Sequence, residues 1–326
     1  MKKVLTMGSA FIGIIVGAGF ASGQEVLQYF TSFGYTGTIA AILATALFAY
    51  LGMVLMKLGS RMRTTSHKEV IYKISGRYLG VVVDAIIVFT LFGVGVVMIA
   101  GAGSILHQQF DVAPFIGSLI MTLLILITVL LNVEKVIQII GSITPFLIMA
   151  IIFVSIYCLM TMDIPFSELN PIAKAQPSAL SNWILSAINY VSFNIAVGAS
   201  MTLVMGGAEK NERIASLGGL VGGIGIGVLI IMSHLAIFSK VDQVASYDMP
   251  TLQIVDNISP FLGIVFAIIL FGMIFNTAVS MFYAFAARFT KMGTKRSNIF
   301  VVMTLVVAFA ASFVGFTNLV SEFYPL

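Results

Sequence analysis

The sequence predicts an all-α protein that crosses a membrane many times, and three observations carry that prediction. Hydrophobic residues make up 59% of the 326 residues and charged residues only 9%, where a soluble domain carries about 25% charged residues. The mean hydropathy is +1.07. Apolar stretches of about 20 residues, each long enough to cross a bilayer as a helix, recur along the whole chain with short polar connections between them.

Nine such segments lie near 4–30, 34–58, 78–107, 113–132, 136–161, 180–207, 212–239, 259–289 and 297–318. Helix is expected for each, because a single spanning segment must satisfy its own backbone in hydrocarbon. Several exceed the minimum length, which leaves room for tilt or a break. Met1-Lys2-Lys3 ahead of an apolar run looks like a secretory leader, but no small-residue cleavage site interrupts the run. It reads as a retained span.

The connections alternate in charge. Lys2, Lys3, Lys57, Arg61, Arg63, Lys68, Lys73, Arg77, Lys135, Lys210, Arg213, Arg288, Lys291, Lys295 and Arg296 fall on one side, and of the 17 basic residues only Lys174 and Lys240 fall on the other. Basic loops stay in the cytoplasm, so the expected orientation is a multi-pass protein of the plasma membrane with a cytoplasmic N-terminus. The basic excess thus orients the chain in its bilayer and does not point to a nucleic-acid partner. Residues 59–77 are basic and amphipathic, as in a cytoplasmic interfacial helix. Residues 240–258, with Asp242, Asp248, Pro250 and Asp256, read either as a short helical cap on the outer side or as a solvated loop. The single cysteine, Cys158, excludes an internal disulfide and a cysteine-based metal cluster. Trp183, the one tryptophan, sits where an interfacial anchor belongs.

The first segment contains Gly17-Ala18-Gly19-Phe20-Ala21-Ser22-Gly23-Gln24-Glu25 in mid-span. Each glycine forfeits roughly 1 kcal/mol of helix propensity relative to alanine, and a carboxylate at that depth needs a partner, water or a helix end. Non-helical backbone inside a bilayer is tolerated only where protein or a wet cavity satisfies it. The sixth segment carries Asn189, Ser192, Asn194, Gly198 and Ser200 near its centre, a weaker breaker. Five spans separate the two, so they enter the membrane from opposite sides. Interrupted segments in corresponding positions of two halves point to an inverted-repeat transporter with a midplane site; the competing reading is that small and polar residues only let helices pack. Gly218, Gly219, Gly222, Gly223, Gly225 and Gly227 in the seventh segment read as packing positions, and Gly93, Gly95, Gly101 and Gly103 in the third as room for a solute.

On the Gly-Ala-Gly-Phe-Ala-Ser-Gly-Gln-Glu run, the two interrupted segments and nearly the whole length, the chain resembles the amino acid–polyamine–organocation superfamily with the LeuT fold, and most closely the YkvI-type bacterial membrane proteins. The resemblance implies a 5+5 inverted repeat, residues 1–161 and 162–326, with discontinuous first and sixth helices. That fold has ten core helices, and the chain stops at Leu326, where a tenth would begin. The tenth is therefore expected to be truncated or missing; it is peripheral to the central site of the fold.

Unwinding the first helix frees carbonyls that suit a cation, and N–H groups at the start of the next half-helix that suit a carboxylate. Gly17, Ala18, Gly19, Phe20, Ser22, Gly23 and Glu25 are the expected solute contacts, faced by Asn189, Ser192, Phe193 and Asn194. The expected partner is a small molecule such as an amino acid or similar carboxylate. Ser22-x-x-Glu25 also has the spacing of a capping box, and Glu25 could bind a proton, an ion or a substrate amine as well. The resemblance further implies a sodium site: carbonyls of Gly13 and Val16, with Asn276, Thr277 and Ser280 on one face of the eighth helix. Oxygen ligands suit a hard cation. Phe20 stands where some relatives carry an asparagine of a second sodium site, so that second site is not expected. Asp84 reads as an interface residue and His234 as a hydrogen-bonded structural one.

The expectation is a secondary active transporter of a small amino-acid-like solute, coupled to sodium or, second, to protons, with no organic cofactor. A ligand-sensing membrane protein that keeps the pocket without turnover is the alternative. No Ser/His pair, His-Glu-x-x-His stretch or paired intramembrane aspartates support an enzyme, and no ring of charge or repeated filter supports a channel.

Overall fold

The computed structural model describes residues 1–64, 67–131, 144–323 and 325. Lys135 and the start of the fifth segment, 136–143, lie outside the described residues. The secondary structure is helical throughout the described chain. In order, the helices are α1 (Lys2–Ile15), α2 (Ala18–Ser22), α3 (Gln24–Tyr29), α4 (Tyr35–Met62), α5 (His67–Phe110), α6 (Pro114–Leu131), α7 (Thr144–Met160), α8 (Phe166–Lys174), α9 (Trp183–Ala208), α10 (Glu212–Ser239), α11 (Val241–Val244), α12 (Pro250–Ile258), α13 (Pro260–Phe289), α14 (Lys295–Ser312) and α15 (Phe316–Phe323). Five of them are long and apolar enough to cross a membrane, and α9 makes a sixth if its bent halves count as one span. The segments 114–130 and 145–160 are shorter apolar helices, and the first segment is divided among α1, α2 and α3.

The division of the first segment has a backbone cause. At Val16 ψ turns to 82°, and Gly17 is extended at φ −95°, ψ −170°. The Gly17 N–H donates to Ile15 O at 2.8 Å, so the Gly13 carbonyl loses the donor that a continuing helix would give it. A second turn follows at Gly23, whose φ of +84° is open to glycine at little cost. A Cβ there would also lie 2.4 Å from Thr251 Oγ1 of α12. The chain is thus bent twice within eight residues of Val16, and α12 closes over the second bend.

In the sixth segment α9 is one helix over Trp183–Ala208, bent by 56° between Trp183–Ala199 and Met201–Ala208, at the end of the expected 189–200 stretch and not at its asparagines. The asparagines do not unwind it, because their side chains find partners: Asn194 Nδ2 donates to Tyr190 O within the helix, at 2.9 Å, and Asn189 reaches outward. Residues 59–77 are also not one helix. α4 runs on to Met62, a new helix begins at His67, and Gly76 (φ 69°, ψ −175°) separates it from the spanning part of α5. Residues 240–258 take the helical form of the two alternatives, as α11 and α12. The ninth segment ends at Ser312 rather than 318, and α15 follows.

Two groups of helices result. α4 runs along α9 and α10, and α1 and α7 both pack on α10. α5 runs along α13 and α6, with α14 against both α5 and α6. The first group is held by glycine seams, as expected for the seventh segment. A Cβ at Gly219 would lie 2.1 Å from Gly52 O, and one at Gly223 2.4 Å from Phe48 O, so backbones touch where side chains would normally intervene. The glycines of α5 do not leave room for a solute. Phe323 of α15 fills the space over Gly93, Phe282 of α13 the space over Gly95, Phe316 and Ile274 that over Gly101, and Pro114 O that over Gly103. Small residues in a span mark close approach, and here the approaching groups are aromatic rings and backbone.

Charged residues cluster where helices end. Lys3 Nζ sits 3.2 Å from Glu209 Oε2, Arg61 pairs with Glu212 at 3.3 Å, and Arg63 donates to Lys210 O. The Asn211 backbone N–H and then Lys3 hold the Glu209 carboxyl below its ordinary range. Asp84 pairs with Arg288 across α5 and α13, the interface role expected of it. His234 is fully buried, with Thr31 Oγ1 3.0 Å from Nδ1 and Thr38 Oγ1 2.9 Å from Nε2. It ties α10 to α4 and to the turn after α3.

Gly219→Ala or Gly223→Ala should lower thermal stability by about 1–3 kcal/mol, because the new methyl meets rigid backbone. Gly225→Ala meets only the tip of Ile12, 2.5 Å from Cδ1, and should be neutral or gain up to about 1 kcal/mol from helix propensity. Melting curves of the three purified variants in one detergent check the contrast.

Candidate functional site

A cavity of about 360 Å³ lies beside the break in the first segment, between α1–α2, α3, α5, α9 and α13. Its size suits one small molecule. Gly13, Val16, Gly17, Gly19, Phe20 and Glu25 line it from the first segment, Phe193 and Asn194 from α9, and Asn276, Thr277 and Ser280 from α13. Residues 276 to 280 on α13, 260 residues away in sequence, thus face the same space as the broken turn.

Ala18 opens α2. Four other sequence-predicted contacts stand elsewhere or do other work. The Ser22 hydroxyl donates to Gly19 O at 2.6 Å and accepts from the Gln24 N–H at 3.1 Å, which uses it up within the turn. Gly23 faces Thr251, as described above. Asn189 Oδ1 accepts from Tyr29 OH at 3.3 Å and its Nδ2 donates to Pro325 O at 3.2 Å, away from the cavity. Ser192 is exposed on the outer surface of α9, since one residue of helical rotation separates it from Phe193. The capping box is also altered: Ser22 reaches Gln24 rather than residue 25, and Gly23 is the N-cap of α3.

The polar side of the cavity is made of oxygen acceptors. The Gly13 carbonyl has lost its helical donor, and the Asn276 Oδ1 atom is buried with no hydrogen-bond partner among the described residues. The Thr277 Oγ1 would stand 3.9 Å from a Cβ built on Gly17, so its hydroxyl is beside the broken turn. Ser280 Oγ donates to Asn276 O at 2.9 Å. Buried acceptors without donors cost free energy unless something fills them, and oxygen atoms alone are the donor set of a hard cation. The expected anion site is weaker. α2 is only five residues long, so the dipole at its start amounts to little more than one turn.

Glu25 forms the far end of the cavity. It is 5% exposed, and its Oε2 accepts from Tyr190 OH at 3.2 Å. Tyr190 in turn packs against Tyr29 at 5.3 Å and edge-on to Phe30 at 5.1 Å, and Ser186 Oγ donates to Tyr29 O at 2.8 Å. α3 and α9 are therefore joined by rings and hydrogen bonds behind Glu25. Met201, also in the lining, is 60% exposed. The remaining walls are Val94, Met98, Val197, Met201, Met273 and Met281. Sequence reasoning missed these residues because an apolar side chain in an apolar span carries no contrast; the 18 methionines of the chain are the one hint of an adaptable pocket.

No family model matches the chain. Two proteins of Bacillus subtilis (strain 168) are similar to it over nearly its whole length. The uncharacterised membrane protein YkvI is 26% identical over 97% of this chain and 89% of its own, and the uncharacterised protein YyaD is 26% identical over 97% and 90%. Among solved structures, MhsT in complex with L-phenylalanine superposes with a TM-score of 0.65 at 19% identity, covering 95% of this chain and 80% of that one. The inward-facing conformation of Mhp1 gives 0.60 at 14%, over 94% and 69%. A Na+-coupled sialic acid symporter, substrate-bound and outward-open, gives 0.51 at 16%, over 96% and 79%. The chain is thus a homologue of the membrane protein YkvI, and its all-helical, multi-span architecture is the LeuT-like fold.

Proposed function

We propose that this protein is a secondary active transporter of a small amino-acid-like solute, working by alternating access in the plasma membrane and driven by sodium. The observation that carries the reading is the cavity at the broken turn, where the Gly13 carbonyl freed of its helical donor, the unpartnered Asn276 Oδ1 and Glu25 line one space. Irregular backbone at membrane depth is kept where it lines a cavity, and transporters of this architecture bind solute and ion there.

The repeat organisation belongs to the same proposal, with residues 1–161 and 162–326 as inverted halves. It is supported by the grouping of helices: the first two spans pack with the sixth and seventh, and the third and fourth with the eighth and ninth. In this reading the basic ends of the helices are cytoplasmic. Tyr29, Phe30 and Tyr190, packed together beside Glu25, then form the outward seal of the cavity. Sodium would be held by the carbonyls of Gly13 and Val16 with the oxygens of Asn276, Thr277 and Ser280, a set that accounts for the orphaned Asn276 Oδ1. Proton coupling through Glu25 is the second choice. The fold is also the one adopted by a Na+-coupled sialic acid symporter and by MhsT with bound L-phenylalanine.

Purified protein in proteoliposomes should accumulate radiolabelled amino acids when sodium is imposed outside, and much less under a proton gradient alone. Thr277→Ala should raise the sodium concentration for half-maximal uptake by about tenfold, the loss of one oxygen to a charged partner. Uptake indifferent to both gradients removes the coupling, and solute binding without any flux favours a sensor. Tyr190→Phe takes one donor from buried Glu25, at a cost of about 1–3 kcal/mol. It should weaken the outward seal, read as faster hydrogen exchange of the backbone amides of α3; unchanged protection there would show that the seal does not depend on the hydroxyl.

A further inference from the structure

Away from the central cavity, a polar hollow of about 210 Å³ lies between the end of α7, α11 and α12. α7 ends at Met160, α10 at Ser239, and α13 begins at Pro260, so three helix ends meet around it. Since α10 starts at Glu212, which pairs with Arg61, this is the end of the bundle opposite those ion pairs. Lys240 stands in the wall with its side chain only 14% exposed. Its Nζ donates to Thr161 O at 2.5 Å and lies 3.7 Å from Asp163 Oδ2, an ion pair longer than a hydrogen bond. Of three ammonium donors, two are left for the hollow. The Asn257 oxygen is taken by Gln253 Nε2 at 2.9 Å, which leaves its N–H₂ as a further donor in the lining, with the Gln243 amide and the Tyr157 hydroxyl. Asp163, 87% exposed, places a carboxylate at the rim.

An apolar groove of about 130 Å³ runs on from this hollow between α7 and α13. Ile258, the last residue of α12, lines both spaces, and Cys158 and Val154, one turn apart on α7, line one each. Phe153 and Val265 on its sides are exposed, so the groove opens on the surface that a membrane-spanning chain turns to hydrocarbon. A cation, a carboxylate and several neutral donors therefore sit at a helix-end boundary, at the head of an apolar slot. A free phosphate would leave the slot empty, and a fatty acid would bring nothing for Asp163.

We propose that this hollow and groove hold one phospholipid with a zwitterionic aminoethyl headgroup, its phosphate on Lys240 and Asn257, its ammonium on Asp163, and one acyl chain between α7 and α13. Lysine in a pocket between spanning helices recognises a lipid phosphate, through charge-assisted hydrogen bonds. Asp163 supplies the selection: it repels a headgroup of net negative charge and pairs with one that brings its own cation. The bound lipid joins α7 to α12, the helix that closes over the bend at Gly23.

The test is lipid binding to the full-length protein in detergent, read by native mass spectrometry and thermal shift. The probes are dioctanoyl phosphatidylethanolamine, dioctanoyl phosphatidylglycerol, and glycerophosphoethanolamine, which has the headgroup without the chains. The ethanolamine lipid should bind at least about fivefold more tightly than the glycerol lipid, the worth of one partly exposed ion pair, and the chainless headgroup more weakly than either. Asp163→Asn should bring the two lipids to equal affinity, Lys240→Gln should weaken both, and Val265→Trp, which fills the groove, should weaken both while leaving the preference between them. If Lys240→Gln does not fold, the exposed Asp163→Asn still decides. Equal binding of the two lipids by the unmodified protein, a preference that survives Asp163→Asn, chainless headgroup binding as tight as the lipid, or binding of none of the three overturns the proposal.

Discussion

The structure depends on one missing set of backbone hydrogen bonds. When the Gly17 N–H turns to Ile15 O, the Gly13 carbonyl is released at a depth where an unsatisfied polar group costs several kcal/mol. Everything nearby answers that cost or exploits it. The α13 face bearing Asn276, Thr277 and Ser280 is brought beside the break, α12 covers the second bend at Gly23, and Glu25 is held by Tyr190. An unbroken helix would need none of these partners and would leave no cavity between α1 and α13.

Such a break survives only in a rigid surround. The seams of Gly52 against Gly219 and Phe48 against Gly223 bring α4 and α10 to backbone contact, and α1 rides on the same surface. The ion pairs Lys3–Glu209 and Arg61–Glu212 fasten the ends of that group, and His234 fastens the other end through Thr31 and Thr38. The second group, α5, α6, α13 and α14, is joined by rings packed over glycines, with Phe282 and Phe323 seated on α5. Backbone seams hold the first group, rings and the backbone contact of Gly103 with Pro114 hold the second, and the cavity is lined by helices of both.

Much of this was legible in the sequence. Nine apolar segments are visible from hydropathy alone, because the bilayer leaves the chain few alternatives. The first break was legible because three glycines and a glutamate in mid-span have no comfortable apolar explanation. The stripe at Asn276, Thr277 and Ser280 was legible by its one-face spacing. What failed did so for reasons of geometry. Polar residues of the sixth segment looked like breakers, yet Asn194 is satisfied inside its own helix and Ser192 is one rotation off the cavity. Glycines of the third segment looked like empty space, yet rings from α13 and α15 occupy it. The apolar lining was invisible, since Met98 and Met273 differ from their neighbours only in where they point. A sequence shows where the backbone cannot be ordinary more readily than which neighbour fills a gap.

The most direct test is a structure of the protein in lipid nanodiscs with an amino acid bound. The account predicts density for that solute between the broken turn at Gly17, Glu25 and Asn276, with residues 13–25 interrupted after Ile15 and again at Gly23. A continuous helix through 13–25, or a solute bound away from this cavity, would contradict it.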